Sequence, residues 1–499
     1  MKKTKIFIDK TLVIAETDDR LFSSFIEHLG RAVYTGIYEP GHAAADEQGF
    51  RTDVINLVRE LGVDMVRYPG GNFISGYNWR DGIGPRSQRP KKLDLAWHSI
   101  ESNQIGIDEF YDWTKKTNTR IMGAVNMGTG TPKEAGELLE YCNFPGNTAL
   151  SDLRRQNGHE QPYDIKTWCI GNEMDGPWQI CHLEADEYGK KARETAKILK
   201  WIDKNVELVV CGSATSIMPS YPEWDRTVLE YTYDNVDYLS LHRYYENYGN
   251  DEDFLASFVD MNRFIKTVTG TVDYVKAQKR SRKTVNLSFD EWNVWYQQNQ
   301  KEHDWMEAPE ILEDRYSLLD ALVFAGLGIT LINNCDRVKI ACLAQLVNVI
   351  APIFTMKGGS VIKQTIFYPF KDISSNARGT ALQPIIKTDT IETCYGASPV
   401  ITAAAVVDRS GKSLHVFCLN TSKTDVHSVD LDMSTFGSLH FTKWQELSGS
   451  DLNARNTFEK PDAVVPHLNS TAECDASGKN GMFTVNIRPL SWNVLTFDI

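Results

Sequence analysis

Trp168-Cys169-Ile170-Gly171-Asn172-Glu173 and Ser288-Phe289-Asp290-Glu291-Trp292-Asn293 decide how this chain is read. Each is an apolar run that delivers a glutamate. The runs over 165–170 and 284–289 have the length and make-up of buried strands. A carboxylate beside aromatic residues at a strand end is costly unless it is paired or hydrogen-bonded. Two of them on parallel strands of one sheet would face one cleft. That is the minimum equipment for cleaving a glycosidic bond with an acid/base and a nucleophile.

Outward from these runs, strand-like segments alternate with helical patterns. The strand candidates are 21–26, 63–67, 120–125, 165–170, 208–211, 236–241, 284–289 and 338–343. Helical patterns fall between them over 53–61, 107–117, 185–201, 255–277 and 312–326. Eight such βα repeats predict an α/β fold, a (β/α)8 TIM barrel over residues 17–375, with its active site at the C-terminal strand ends. A doubly wound open sheet competes, but no Gly-x-Gly-x-x-Gly follows an early strand, which argues against its nucleotide-binding version. After about residue 375 helical periodicity fades. Short alternating runs separated by Gly, Asn, Asp and Ser predict a C-terminal antiparallel β-sandwich, jelly-roll-like, over 376–499. Residues 1–16 alternate in the same way and are expected to join its sheet, which favours a structural domain over an appended carbohydrate-binding module.

With 499 residues the chain is too long for one ordinary core. Its net charge of −13 makes nucleic acid and anionic membranes poor partners and suits a neutral substrate. The 12 Trp and 20 Tyr offer flat faces for sugar stacking, although large cores use them too. The nine cysteines contain no Cys-x-x-Cys pair, so neither a zinc site nor a redox motif is indicated. No apolar run is long enough to cross a membrane. Met1-Lys2-Lys3 opens like a signal peptide, but Asp9, Lys10 and Glu16 interrupt the apolar stretch that should follow. A cytoplasmic protein is expected.

Polar residues gather at the strand ends: Glu27 and His28, Tyr68 to Asn72, Asn126, Asn172 and Glu173, His242 to Tyr245, Asp290 and Glu291, Gln345 and Asn348. Any one of these alone is more often a satisfied structural group. Seven of eight strands ending this way points to one polar mouth. Glycoside cleavage with retention needs two carboxyl groups roughly 5–5.5 Å apart, one protonating the leaving oxygen and one attacking the anomeric carbon. At that range one carboxylate raises the pKa of the other. Glu27, Asn72, Asn172 and Gln345 are candidates for holding sugar hydroxyls, Asn172 for the 2-hydroxyl in particular. Tyr244 is a candidate for orienting the nucleophile. Trp97, Trp178 and Trp295 are candidate walls for the leaving-group sugars, with ordinary loop packing as the competing reading.

The chain resembles the α-L-arabinofuranosidases of glycoside hydrolase family 51 over nearly its whole length. The resemblance is carried by Phe25-Ile26-Glu27-His28-Leu29-Gly30-Arg31-Ala32-Val33-Tyr34, Arg67-Tyr68-Pro69-Gly70-Gly71-Asn72-Phe73 and Gly171-Asn172-Glu173-Met174-Asp175-Gly176-Pro177-Trp178-Gln179. Phe289-Asp290-Glu291-Trp292-Asn293-Val294-Trp295-Tyr296 and Ala344-Gln345-Leu346-Val347-Asn348 add to it. It implies Glu173 as general acid/base and Glu291 as nucleophile, with Glu27, Asn72, Asn172, Tyr244 and Gln345 contacting the arabinose or the catalytic carboxylates. It further implies retention, no metal or organic cofactor, and a homo-oligomer, a hexamer being favoured. The expected activity is exo-acting release of terminal L-arabinofuranose from arabino-oligosaccharides, arabinan or arabinoxylan fragments. A β-xylosidase or endo-glucanase on the same scaffold is the nearest alternative. A non-catalytic sugar binder is more distant, because both glutamates are present.

Overall fold

A computed structural model describes residues 1–297, 303–470 and 480–499. Eight parallel strands close a barrel in chain order: β1 (Ser23–Phe25), β2 (Met65–Tyr68), β3 (Arg120–Val125), β4 (Thr167–Ile170), β5 (Glu207–Val210), β6 (Tyr238–Tyr245), β7 (Asn286–Val294) and β8 (Val338–Leu343). All eight expected strands are present. The period of two sorts their side chains. Phe25, Met65, Met122, Ala124, Cys169, Val209, Ile340 and Cys342 fill the barrel interior. Val66, Tyr68, Ile121, Val125, Trp168 and Ile170 point outward onto the helices.

Two strands run further than their sequence indicates. β6 and β7 continue to Tyr245 and Val294, so His242, Tyr244 and Glu291 lie within strands rather than after them. The register shifts between Ser240 and His242 and again between Phe289 and Trp292. Such bulges re-aim side chains, and both occur where the polar residues of the mouth begin.

The helical pattern expected over 312–326 is displaced; the helix is Leu318–Ile332. Its start is set by a capping box, in which Ser317 N donates to Asp320 Oδ2 (2.7 Å) and Asp320 N to Ser317 Oγ (3.4 Å). Every residue of this helix is buried, so no amphipathic stripe marks its limits. The pattern over 255–277 is present as Ser257–Gln278, preceded by a separate short helix, Asp251–Leu255.

Total burial of Leu318–Ile332 has a tertiary cause. A seven-stranded sheet, ordered 13–16, 379–382, 401–408, 413–420, 491–498, 440–447 and 467–468, lies across it. One face of that sheet, with Ala404, Val406, Phe417 and Leu419, joins the barrel-side core. The other face, with Ile401, Ala403, Ala405 and Val416, packs on a four-stranded sheet that carries Ile6, Val429, Leu431 and Val485. Each large apolar side chain so covered contributes about 1.5–3 kcal/mol relative to exposure. Lys2–Phe7 pairs in parallel with His427–Asp432. That pairing departs from a purely antiparallel sandwich. No helix among the described residues is long and apolar enough to cross a membrane.

Candidate active site

The C-terminal mouth of the barrel opens into a cleft of about 570 Å³, within the range of small-ligand sites. Its walls include Glu27, Asn72, Trp97, Glu173, Trp178, Tyr244, Glu291, Trp295 and Gln345. Of the ten residues singled out from the sequence, Asn172 alone is absent from the open wall. It lies just behind, 1% exposed, where its Oδ1 accepts from Arg67 Nη2 (2.7 Å) and its Nδ2 donates to Asn72 Oδ1 (3.2 Å).

Glu173 leaves β4 through a turn in which Gly171 has φ +90° and Glu173 itself φ +43°. The left-handed conformation is unfavourable for a residue with a Cβ and is tolerated where the surroundings over-determine it. Here both carboxylate oxygens are held. Oε1 faces His242 Nδ1 at 2.8 Å and Oε2 accepts Trp178 Nε1–H at 2.6 Å. Glu291 is held as completely: Oε1 accepts from Arg67 Nη1 (2.6 Å) and Oε2 from Tyr244 OH (2.7 Å). His242 Nδ1 is also 3.6 Å from Glu291 Oε2. One oxygen of each glutamate and a ring nitrogen of His242 lie within 4.8 Å of one another. That spacing suits a retaining pair and is too short for the water-filled gap of roughly 6.5–9.5 Å that inversion requires.

A third carboxylate underlies the pair. Asp290 is buried, 3.1 Å from His242 Nε2 through Oδ1 and 3.7 Å from Arg67 Nε through Oδ2. Burial pushes its pKa up, but Arg67 and His242 outweigh that and hold it below the usual carboxylate range. Burial alone would drive His242 neutral. The charge of Glu291 and the bonds to Asp290 and Glu173 prevail and raise its pKa to about 10. The ring is therefore an imidazolium at neutral pH, donating to Glu173 and to Asp290.

Glu27 closes the opposite end. Its Oε1 accepts from Phe73 N (2.8 Å) and Trp97 Nε1 (2.9 Å), while Gln345 Oε1 accepts from Glu27 N (3.0 Å). Gly70 and Gly71 are needed for this approach, since a Cβ on Gly71 would lie 2.8 Å from Glu27 Oε2. Burial raises the Glu27 pKa to about 8, with repulsion from Glu291 and Asp94 adding to it and the Phe73 and Trp97 bonds opposing. Gln345 Nε2 donates to the other oxygen, Oε2, at 3.4 Å.

The tryptophans do more than form walls. Trp97 and Trp178 each donate to a carboxylate, and Trp295 packs edge-on against Tyr244 with ring centroids 5.0 Å apart. Three other strand-end residues turn away from the cleft. His28 bridges Glu101 (2.8 Å) and Tyr68 OH (2.7 Å). Asn126 Nδ2 donates to Tyr77 O (2.9 Å) and its Oδ1 accepts from Gly128 and Gly130. Asn348 Nδ2 donates to Arg31 O (2.8 Å).

Comparison with known proteins agrees with this geometry. Residues 57–263 match the model of the "Alpha-L-arabinofuranosidase 1 domain" family, and residues 290–491 that of the "Alpha-L-arabinofuranosidase C-terminal domain". The chain is 50% identical to intracellular exo-α-(1→5)-L-arabinofuranosidase 1 of Bacillus subtilis strain 168, over 99% of each chain. The chain belongs to the α-L-arabinofuranosidases of glycoside hydrolase family 51. It is also 48% identical to an exo-α-(1→6)-L-arabinofuranosidase of Bifidobacterium longum, over 99% of this chain and 97% of that one. Among solved structures, a family 51 α-L-arabinofuranosidase from Bifidobacterium longum superposes with a TM-score of 0.96 at 44% identity, covering both chains fully. The Thermotoga maritima α-L-arabinofuranosidase in complex with arabinose gives 0.89 at 33%, again with full coverage of both.

For a family 51 chain, the residues that reading by sequence left without a role are Arg67, His242 and Asp290. Arg67 was visible as a cation inside the buried run Met65-Val66-Arg67-Tyr68, where a charge demands a partner. His242 and Asp290 gave no such signal, because their partners come from other strands. Among the described residues, the one cluster of His and carboxylate donors close enough to hold a cation is Glu173, His242 and Glu291.

Proposed function

We propose that this protein is a retaining, exo-acting α-L-arabinofuranosidase that releases terminal non-reducing L-arabinofuranose from arabino-oligosaccharides and from arabinan or arabinoxylan fragments. The observation that carries the proposal is the Glu173–Glu291 pair, whose nearest oxygens lie within 4.8 Å across the cleft. The named activities of the Bacillus subtilis and Bifidobacterium longum relatives support the substrate class. Glu291 attacks the anomeric carbon as the glycosidic C–O bond breaks, and Glu173, which enters this step as the carboxylic acid, gives its proton to the departing oxygen and is left a carboxylate. Glu173 then takes a proton from water, whose oxygen displaces Glu291 and regenerates it. Two displacements at one carbon retain its configuration. Tyr244 and Arg67 orient Glu291, while Glu27, Asn72, Asn172 and Gln345 hold the furanose hydroxyls. The two carboxylates make and break every bond in this scheme, so it calls on no metal or cofactor.

Further parts of the proposal are a catalytic barrel over 17–375, a sandwich domain over 376–499 completed by 1–16, a homohexameric assembly and action in the cytoplasm in L-arabinose catabolism. The word intracellular in the names of several relatives supports the last. The test uses nitrophenyl α-L-arabinofuranoside beside the β-D-xyloside and a cello-oligosaccharide. Glu173→Ala in azide should give the arabinosyl azide of retained configuration, and Glu291→Ala in azide that of inverted configuration. The same configuration from both variants would reject the assignment of roles, and a preference for the xyloside or the glucan would reject the substrate.

A further inference from the structure

The end of the cleft away from Glu27 is built by β5, β6 and the loop after β5. The sugar-holding candidates Glu27, Asn72 and Gln345 follow β1, β2 and β8, which lie across the ring from β5. The loop after β5 abuts the turn that carries Glu173, because Ala214 N donates to Asp175 Oδ2 at 3.0 Å. It is tied again behind, where Ser213 N and Oγ donate to the buried Asp225 at 2.7 and 3.0 Å. Two buried carboxyls thus fix Ser213 and Ala214 beside the turn of Glu173, and Thr215, Ile217 and Met218, which follow them, line the cleft.

Arg243 on β6 completes this wall. Its side chain is only 14% exposed and is anchored on two sides. Nε donates to Asp260 Oδ2 (2.9 Å), and Nη1 donates to Thr215 Oγ1 (3.3 Å). The guanidinium also lies 4.9 Å from the Tyr245 ring centroid. Tyr245 adds a hydrogen-bonding contact to the guanidinium, and no described residue makes a well-formed hydrogen bond to Nη2. A guanidinium held through Nε and Nη1 presents Nη2 in a fixed place as a preorganised N–H donor. Asp260 neutralises its charge, so Nη2 suits a neutral hydroxyl.

We propose that Arg243 is a specificity-determining residue whose Nη2 binds an oxygen of the leaving-group sugar. This rests on the arabinofuranosidase reading. A natural leaving group is a sugar with hydroxyl oxygens around its ring, whereas the acceptors of a nitrophenyl group are confined to the nitro oxygens at its far end. Loss of a charge-assisted hydrogen bond therefore falls selectively on the oligosaccharide.

The experiment compares kcat/KM for α-1,5-arabinobiose with that for nitrophenyl α-L-arabinofuranoside in wild type, Arg243→Lys and Arg243→Met. The lysine variant keeps a cation for Asp260 and loses the second donor, so it decides the question if the methionine variant does not fold. The ratio of arabinobiose to nitrophenyl kcat/KM should drop about tenfold to a hundredfold in both variants. A ratio within about threefold of wild type, with both substrates falling together, would assign Arg243 a purely structural role and overturn the proposal. Failure of the wild-type enzyme on both substrates would instead remove the arabinofuranosidase reading, and this inference with it.

Discussion

Replacing Arg67 by methionine tests whether the buried charges hold one another as described. The side chain is 1% exposed, and methionine approximates its apolar stem. The substitution removes the 2.6 Å bond to Glu291, the 2.7 Å bond to Asn172 and the 3.7 Å contact with Asp290. Asp290 and Glu291 are then left to share the His242 cation with Glu173. Breaking a buried ion pair from one side costs about 3–5 kcal/mol, mostly because the surviving charge is stranded. Urea unfolding followed by tryptophan fluorescence reads the change through the midpoint and its slope. The decisive measurement adds Glu291→Gln. If the stranded charge is the cause, Glu291→Gln should be less harmful in the Arg67→Met background than in wild type, with a coupling of about 2 kcal/mol or more. A coupling below about 0.5 kcal/mol, the level of independent sites, would refute the argument and assign the loss to packing.

Other outcomes follow from the same site. His242 holds its proton up to about pH 10 in the folded state against 6.5 when unperturbed, so its contribution is complete below about pH 6.5 and is lost as pH rises to 10. The unfolding midpoint should fall across that range in wild type and fall less in His242→Asn; parallel curves would contradict the charged ring. Glu27 keeps its proton to about pH 8 against 4.5 unperturbed, so stability also declines with rising pH between those values. Glu27→Gln should flatten that decline, and an unchanged slope would show that the native carboxyl is ionised. Trp178→Phe keeps the ring face but loses the 2.6 Å bond to Glu173, and with Trp178 48% exposed water can replace part of it. A fall in kcat of about three- to tenfold is expected, and no change in kcat would mean that the bond does not position the acid.

The sequence alone determined the layers of this protein and the position of its cleft. Eight apolar runs at βα spacing specify a barrel because a buried parallel strand leaves few other compositions available. A glutamate ending such a run marks the mouth because burying a charge there is too costly to be incidental. Glu173 and Glu291 could be expected at that mouth for this reason, and both line the cleft. The helix at Leu318–Ile332 was misplaced because its all-round burial comes from a sheet encoded about a hundred residues later, which erased the stripe that would have located it. His28, Asn126 and Asn348 looked equivalent to Glu27 and Gln345 at strand ends, and only side-chain direction separated them. The electrostatic frame lay still further from view. Arg67 on β2, His242 on β6 and Asp290 and Glu291 on β7 are separated by up to 224 residues and meet only when the ring closes. A pairwise charge interaction depends on distance and on the exclusion of water, and neither exists until the barrel is formed.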